Sequence, residues 1–123
     1  MMQSILLAIG AYNDWDILDM HAGFDLTQLA SVSDLAMVDM ARRAAVKAVA
    51  YKGHKPFGAA EMDLLPALEV IANYGVGYDA IDVAAAKQRG VRVTNTPDVL
   101  NDDVADLAVG MLLAFTRNMM TNA

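Results

Sequence analysis

Short apolar runs, most of them closed by glycine or another turn residue, alternate with polar-capped helical stretches along the whole chain. No other feature narrows the fold as much. The runs "SILLAIG" (4–10), "DLTQLA" (25–30), "VKAVAY" (46–51), "LEVIANY" (68–74) and "VRVTNT" (91–96) have the length and composition of buried strands. Between them, "NDWDILDMHAG" (13–23) offers Asn13 or Asp14 as a helix cap and Gly23 as a stop. "SDLAMVDMARRA" (33–44) sets Met37, Met40, Ala41 and Ala44 at helical spacing behind a Ser33 or Asp34 cap. "AAEMDLLPAL" (59–68) predicts a short helix interrupted near Pro66, and "DAIDVAAAKQRG" (79–90) a helix from an Asp cap to a Gly stop. "NDDVADLAVGMLLAFTR" (101–117) is the longest helical stretch.

A helix between every two strands rules out hairpins, so the sheet must be parallel and covered on both faces. Five βα units of this size predict an α/β fold, a doubly wound flavodoxin-like sheet of order 2-1-3-4-5 in three αβα layers. Nothing in the sequence suggests a linker or a repeat, so residues 1–123 are expected to form one domain. The residues are 56% hydrophobic but only 7% aromatic, which predicts a core of Ala, Val, Leu, Ile and Met. A formal net charge of −6 argues against nucleic acid or an anionic membrane as partner. The absence of cysteine excludes disulfides and thiolate zinc sites, and no metal site is expected. No apolar run reaches the roughly 18 residues a membrane span needs, and a cytoplasmic location is expected.

Ligands of such sheets bind at the carboxyl ends of the strands. That edge should carry the loops "GAYND", "YKGHKPFG", "YGVG" and "NTPDVLN". In the third of these, Gly75-Val76-Gly77-Tyr78-Asp79-Ala80 reads G-x-G-x-x-A, the pattern of a dinucleotide-binding turn, with Asp98 about where a ribose-binding acid would stand. Asp79 and Asp82 argue against that reading. In the first turn of the following helix they would repel a pyrophosphate and occupy the amides it needs. The backbone of Val76 and Gly77, ahead of this cap, stays available and suits one small carboxylate. The same pattern also serves a tight turn that binds nothing. His21 ends a short helix and reads as a surface or capping residue, and nothing in the sequence orients His54.

"LEVIANYGVGYDAIDVAAAKQRGVRVTNTPDVLNDDVADLAVGMLLAFTRN" (68–118) resembles the N-terminal region of the D-isomer-specific 2-hydroxyacid dehydrogenases. Its V-G-x-D, N-T-P-x-V-L and V-A-D-L motifs are similar to those of the glyoxylate/hydroxypyruvate reductases. The resemblance implies a flavodoxin-like substrate-binding domain that faces a separate NAD(P)-binding domain across a cleft. It implies that Gly75, Val76 and Gly77 hold the carboxylate of a small 2-oxo or 2-hydroxy acid, and that Lys52 and Gly53 border the substrate. Asn101 falls on the nicotinamide side of the cleft, where the family often has Thr, so that contact is a departure from the pattern. The family's cofactor fingerprint and its catalytic Arg, Glu and His have no counterpart here. No catalytic residue and no bound cofactor are therefore expected in this chain, Asn101 meeting the nicotinamide only with the cofactor domain, and the chain alone is expected to be inactive.

Two stretches remain open. Trp15 either walls the substrate pocket or packs half-buried. The last helix carries Val104, Leu107, Ala108, Met111, Leu112 and Phe115 on one stripe, with Val109 and Leu113 on a second face. One face is expected to be exposed, with a homodimer through 101–117 relieving it. Other owners of this fold order fail on particular residues. A response-regulator receiver needs an Asp at the end of the third strand, where Lys52 stands. A flavodoxin needs a hydroxyl-rich phosphate loop where "GAYNDWD" is acidic. An excised or engineered scaffold, or a self-associating module without ligand, remains the alternative.

Overall fold

The computed structural model describes residues 3–97 and 101–117. Five strands, β1 (Ile5–Ile9), β2 (Asp25–Leu29), β3 (Val46–Tyr51), β4 (Val70–Asn73) and β5 (Arg92–Thr94), form one sheet in the order β2-β1-β3-β4-β5. Every pairing is parallel. The connecting helices are α1 (Asp14–Gly23), α2 (Met40–Ala45), α3 (Ala59–Asp63) and α4 (Val83–Gln88), followed after β5 by α5 (Asn101–Thr116). The expected fold class and strand order therefore hold.

Alternation along the strands sorts the core onto two faces. Leu7 and Ile9 of β1, with Val49 and Tyr51 of β3, join Val32, Leu35, Phe57, Met62, Leu65 and Ile81 in the larger cluster. Leu6, Ala8 and Ala50 point the other way, toward Met20 of α1 and Tyr12. The largest fully buried side chains are Tyr51 and Phe57, whose rings meet edge to face at 5.5 Å. The expectation of a core built from Ala, Val, Leu, Ile and Met holds for the rest of the buried hydrophobics, with Tyr51 and Phe57 as the aromatic additions; of the methionines among the described residues only Met62 is buried.

Three local boundaries also differ from the sequence reading. The helix expected over 33–44 is two elements, a 3-10 helix Val32–Met37 and then α2, separated where Asp39 caps α2 on the Arg42 amide at 3.3 Å. Asp39 outcompetes helix continuation because its carboxylate supplies an acceptor to a fresh helix start. Val32 and Leu35 are buried, whereas Met37 and Met40 stand 85% and 74% exposed, so the expected methionine stripe is not a core face. Similarly, α4 begins at Val83, with Asp82 as its cap accepting from Ala85 N at 3.0 Å, and Asp79 lies outside the helix. The third difference is α5, which buries none of its residues: both of its apolar sides are exposed, not one.

Candidate functional site at the carboxyl edge of the sheet

The site begins with Gly10, where β1 ends. Its φ of +121° is a conformation L side chains rarely adopt, and a Cβ there would lie 2.0 Å from the carbonyl oxygen of Lys52. The close approach lets Lys52 N donate to Ile9 O at 2.8 Å, while Gly10 N donates to Leu29 O at 2.9 Å. The ends of β1, β2 and β3 are thus drawn together under the loops.

Lys52 then turns its side chain across the edge. Its ammonium donates to Ala11 O at 2.7 Å and lies 4.5 Å from the ring centroid of Tyr74 and 5.6 Å from that of Tyr12. The two rings meet edge to face at 5.7 Å. A cation over aromatic faces is held electrostatically by the ring quadrupoles. Lys52 is therefore neither a free solvated cation nor aimed into open space; it staples the loops after β1, β3 and β4. Burial, with smaller contributions from Asp16 and Tyr74, pushes the Tyr12 hydroxyl up to about 12. Gly53 follows, exposed, where a Cβ would meet Tyr51 Oη at 3.3 Å.

The turn after β4 is built by asparagines. Asn73 is the one buried polar residue among the described residues. Its Nδ2 donates to Gly77 O at 2.8 Å and Gly75 O at 3.3 Å. Asn95 Nδ2 donates to Val76 O at 2.8 Å, and Thr96 N donates to Gly75 O at 3.0 Å. Both atoms facing Asn73 are carbonyl oxygens, so only its NH2 group can face them. All three carbonyls of Gly75-Val76-Gly77 are thereby occupied, whereas their amides and that of Tyr78 donate to no partner among the described residues. Gly75 makes the turn possible with φ +125°. Val76 is 40% exposed, and Gly77 and Tyr78 are exposed beside it. A pocket of about 210 Å³ between Tyr78, Val83, Thr94 and Asn95 adjoins the turn.

A larger cleft, about 550 Å³, is lined by Lys52 and Gly53 together with Ile9, Ser31, Val32, Tyr51 and His54. It does not include the glycine turn. The Tyr51 hydroxyl donates to Lys55 O and holds the loop that roofs it. Phe57 pairs with Ile81 in a lone parallel bridge, with Phe57 N on Ala80 O at 2.8 Å and Asp82 N on Phe57 O at 2.9 Å. This bridge fixes where the β4 loop hands over to α4.

Of the residues expected from sequence, the fold brings Lys52, Gly53, Gly75, Val76 and Gly77 to one edge. Asn101 opens α5, and Asp98 lies outside the described residues. His21 sits exposed at the end of α1 and His54 exposed in the loop after β3. Trp15 is 78% exposed, so half-buried packing does not describe it. Sequence reading missed Asn73, Tyr12 and Tyr74. The signal for Asn73 was present: a polar residue inside an otherwise apolar strand, immediately before a glycine turn, must find buried partners.

The turn does not fit a nicotinamide dinucleotide. α4 is six residues long, its cap is already filled by the Asp82 carboxylate, and the exposed Asp79 adds a second negative charge. Among the described residues, no group of His, Asp or Glu side chains is arranged to hold a metal ion.

Fold and edge define a doubly wound α/β domain with an amide-lined turn at its carboxyl edge. Residues 8–123 match the D-isomer specific 2-hydroxyacid dehydrogenase catalytic domain, and the chain belongs to that family. It is 36% identical over 101 residues to glyoxylate/hydroxypyruvate reductase A of Arabidopsis thaliana, covering 82% of this chain and 32% of that protein. It is 46% identical over 74 residues to hydroxyphenylpyruvate reductase of Plectranthus scutellarioides, covering 60% of this chain and 24% of that one. Among solved structures, a 2-hydroxyacid dehydrogenase from Ketogulonicigenium vulgare Y25 superposes with a TM-score of 0.80 at 40% identity, over 98% of this chain and 38% of that one. An NADPH-dependent glyoxylate/hydroxypyruvate reductase from Sinorhizobium meliloti, in complex with NADP and malonate, gives 0.78 at 38% identity, over 91% and 34%. The chain thus spans about a third or less of the length of these curated relatives.

Proposed function

We propose that these residues are the substrate-binding domain of an NAD(P)-dependent D-2-hydroxyacid dehydrogenase of the glyoxylate/hydroxypyruvate reductase type. The amides of Val76 and Gly77, framed by Gly75, hold the carboxylate of a small 2-oxo acid. Lys52 and Gly53 border the substrate, and Asn101 lies toward the nicotinamide supplied by a cofactor-binding domain. The observation that carries this reading is the pairing pattern of the turn: its carbonyls are occupied while, among the described residues, its amides find no acceptor at an exposed edge. Such a row of donors with no acceptor of its own favours an anion. The malonate complex of the Sinorhizobium meliloti relative is in keeping with a carboxylate ligand.

Hydride transfer requires a nicotinamide held against the substrate. The glycine turn does not offer that seat, so the 123 residues bind the acid and do not by themselves reduce it. A homodimer through 101–117 covers the exposed side chains of α5. A cytoplasmic location fits the absence, among the described residues, of any helix long and apolar enough to cross a membrane. The net charge of −6 leaves nucleic acid an unfavourable partner. Calorimetry with hydroxypyruvate, beside an NADPH-oxidation assay of the same sample, tests the proposal. Heat of binding without NADPH consumption is expected; turnover by these residues alone, or no heat, overturns it.

A further inference from the structure

A trans peptide plane points its C=O and its N–H in opposite directions. Holding the carbonyl of one residue therefore aims the amide of the next. The carbonyls of Gly75, Val76 and Gly77 are the partners of the amides of Val76, Gly77 and Tyr78, and each carbonyl has its own holder. Gly75 O is held twice, by Thr96 N and Asn73 Nδ2; Val76 O is held by Asn95 Nδ2; Gly77 O is held by Asn73 Nδ2. Asn73 is buried, with 7% exposure, so its amide cannot exchange these carbonyls for water without cost.

We infer that Asn73 and Asn95 are positioning residues that set the sign of charge the turn accepts, and that the amide of Tyr78 is a third donor to the carboxylate beside those of Val76 and Gly77. This inference rests on the carboxylate reading above and deepens it. Were either asparagine an acceptor, its carbonyl partner would be repelled, the peptide would rotate, and a carbonyl would face the ligand instead of an amide. Among the described residues control is divided: Asn73 alone governs the Tyr78 amide, Asn95 alone governs the Gly77 amide, and the Val76 amide is backed by both Thr96 and Asn73.

Ionised aspartate is nearly isosteric with asparagine but offers no donor, so Asn95→Asp and Asn73→Asp, read above the pH at which the introduced carboxyl loses its proton, invert the hydrogen bond with little change of volume. The experiment is a titration of the isotope-labelled chain with oxalate, read amide by amide. The wild type is expected to respond at Val76, Gly77 and Tyr78. Asn95→Asp is expected to remove the Gly77 response and keep that of Tyr78, whereas Asn73→Asp does the reverse. Each weakens oxalate about tenfold or more, the scale of a lost hydrogen bond to a charged group. A purely structural role would weaken all three responses together, and that result overturns the inference while leaving carboxylate binding standing.

Should the wild type bind no oxalate, the carboxylate reading fails and the third-donor role of Tyr78 with it, and the ligand-free proteins decide the positioning roles of Asn73 and Asn95. Slower solvent exchange of the Gly77 amide in Asn95→Asp, as its peptide turns inward, supports them; unchanged exchange overturns them. Asn95 is only half-buried, so its variant keeps the test open even where Asn73→Asp does not fold.

Discussion

Replacing Gly10 with alanine should damage the fold and the site together, because one atom would collide with the residue that staples the loops. The added Cβ would lie 2.0 Å from Lys52 O and 2.9 Å from Lys52 C, both backbone atoms that cannot rotate away. Two costs add. A side chain at φ +121° carries about 1–3 kcal/mol of backbone strain. Displacing the end of β3 then weakens the Lys52 N–Ile9 O and Gly10 N–Leu29 O bonds, each worth about 1 kcal/mol. The sum is about 3–5 kcal/mol, a large share of the stability of an ordinary domain. At about 2 cal/mol/K of unfolding entropy per residue, a domain of this size loses about 4 °C in Tm per kcal/mol, hence about 12–20 °C in total. Thermal unfolding followed by circular dichroism measures this, with Gly23→Ala as control, since no atom lies within 4 Å of a Cβ there and its φ is not positive. The control should move Tm by no more than about 2 °C. A Gly10→Ala protein melting within about 3 °C of wild type would refute the close-approach argument.

Further outcomes follow from the same geometry. Phe57→Ala empties a fully buried site against Tyr51 and should cost about 3–5 kcal/mol, read as a lower denaturant midpoint at unchanged slope. Tyr12 keeps its proton in the folded protein up to about 12, against an unfolded value of 10.0, so the unfolded chain releases that proton first. Its contribution is intact below pH 10 and is lost as pH rises toward 12; a wild-type Tm that falls across this window more steeply than that of Tyr12→Phe checks it. Sedimentation should show self-association that the double substitution Leu107→Glu, Met111→Glu abolishes, because both side chains stand 64% exposed on α5. A wild type that is monomeric at high concentration would speak against an interface there.

Much of the fold was legible because its signals are local. Parallel pairing followed from the helical stretch between each pair of strands, the order from the number and size of the βα units, and the cap Asn13 stands in the sequence where it acts. Errors arose where two local signals competed. At Asp39, a cap inside an apparently continuous helical pattern started a new helix, and the methionine spacing on either side carried no information about burial. At Asp79 and Asp82, two acids three apart each qualified as a cap, and the bridge between Phe57 and Ile81 leaves that role to Asp82. In the site, the glycines and the available amides of Val76 and Gly77 could be read directly. What orients those amides could not, since Asn95 reaches Val76 across 19 residues and Lys52 reaches Ala11 across 41. Such contacts depend on which strand ends lie side by side, which only the assembled sheet determines.

The central claim is that the turn after β4 is a carboxylate seat and not a nucleotide seat. Recording backbone amide resonances of the labelled chain during separate titrations with hydroxypyruvate and with NADH tests it most directly. Saturable shifts confined to Val76, Gly77 and their immediate neighbours with hydroxypyruvate, and none with NADH, are the predicted result. Shifts from NADH between Gly75 and Ala80 would contradict the claim.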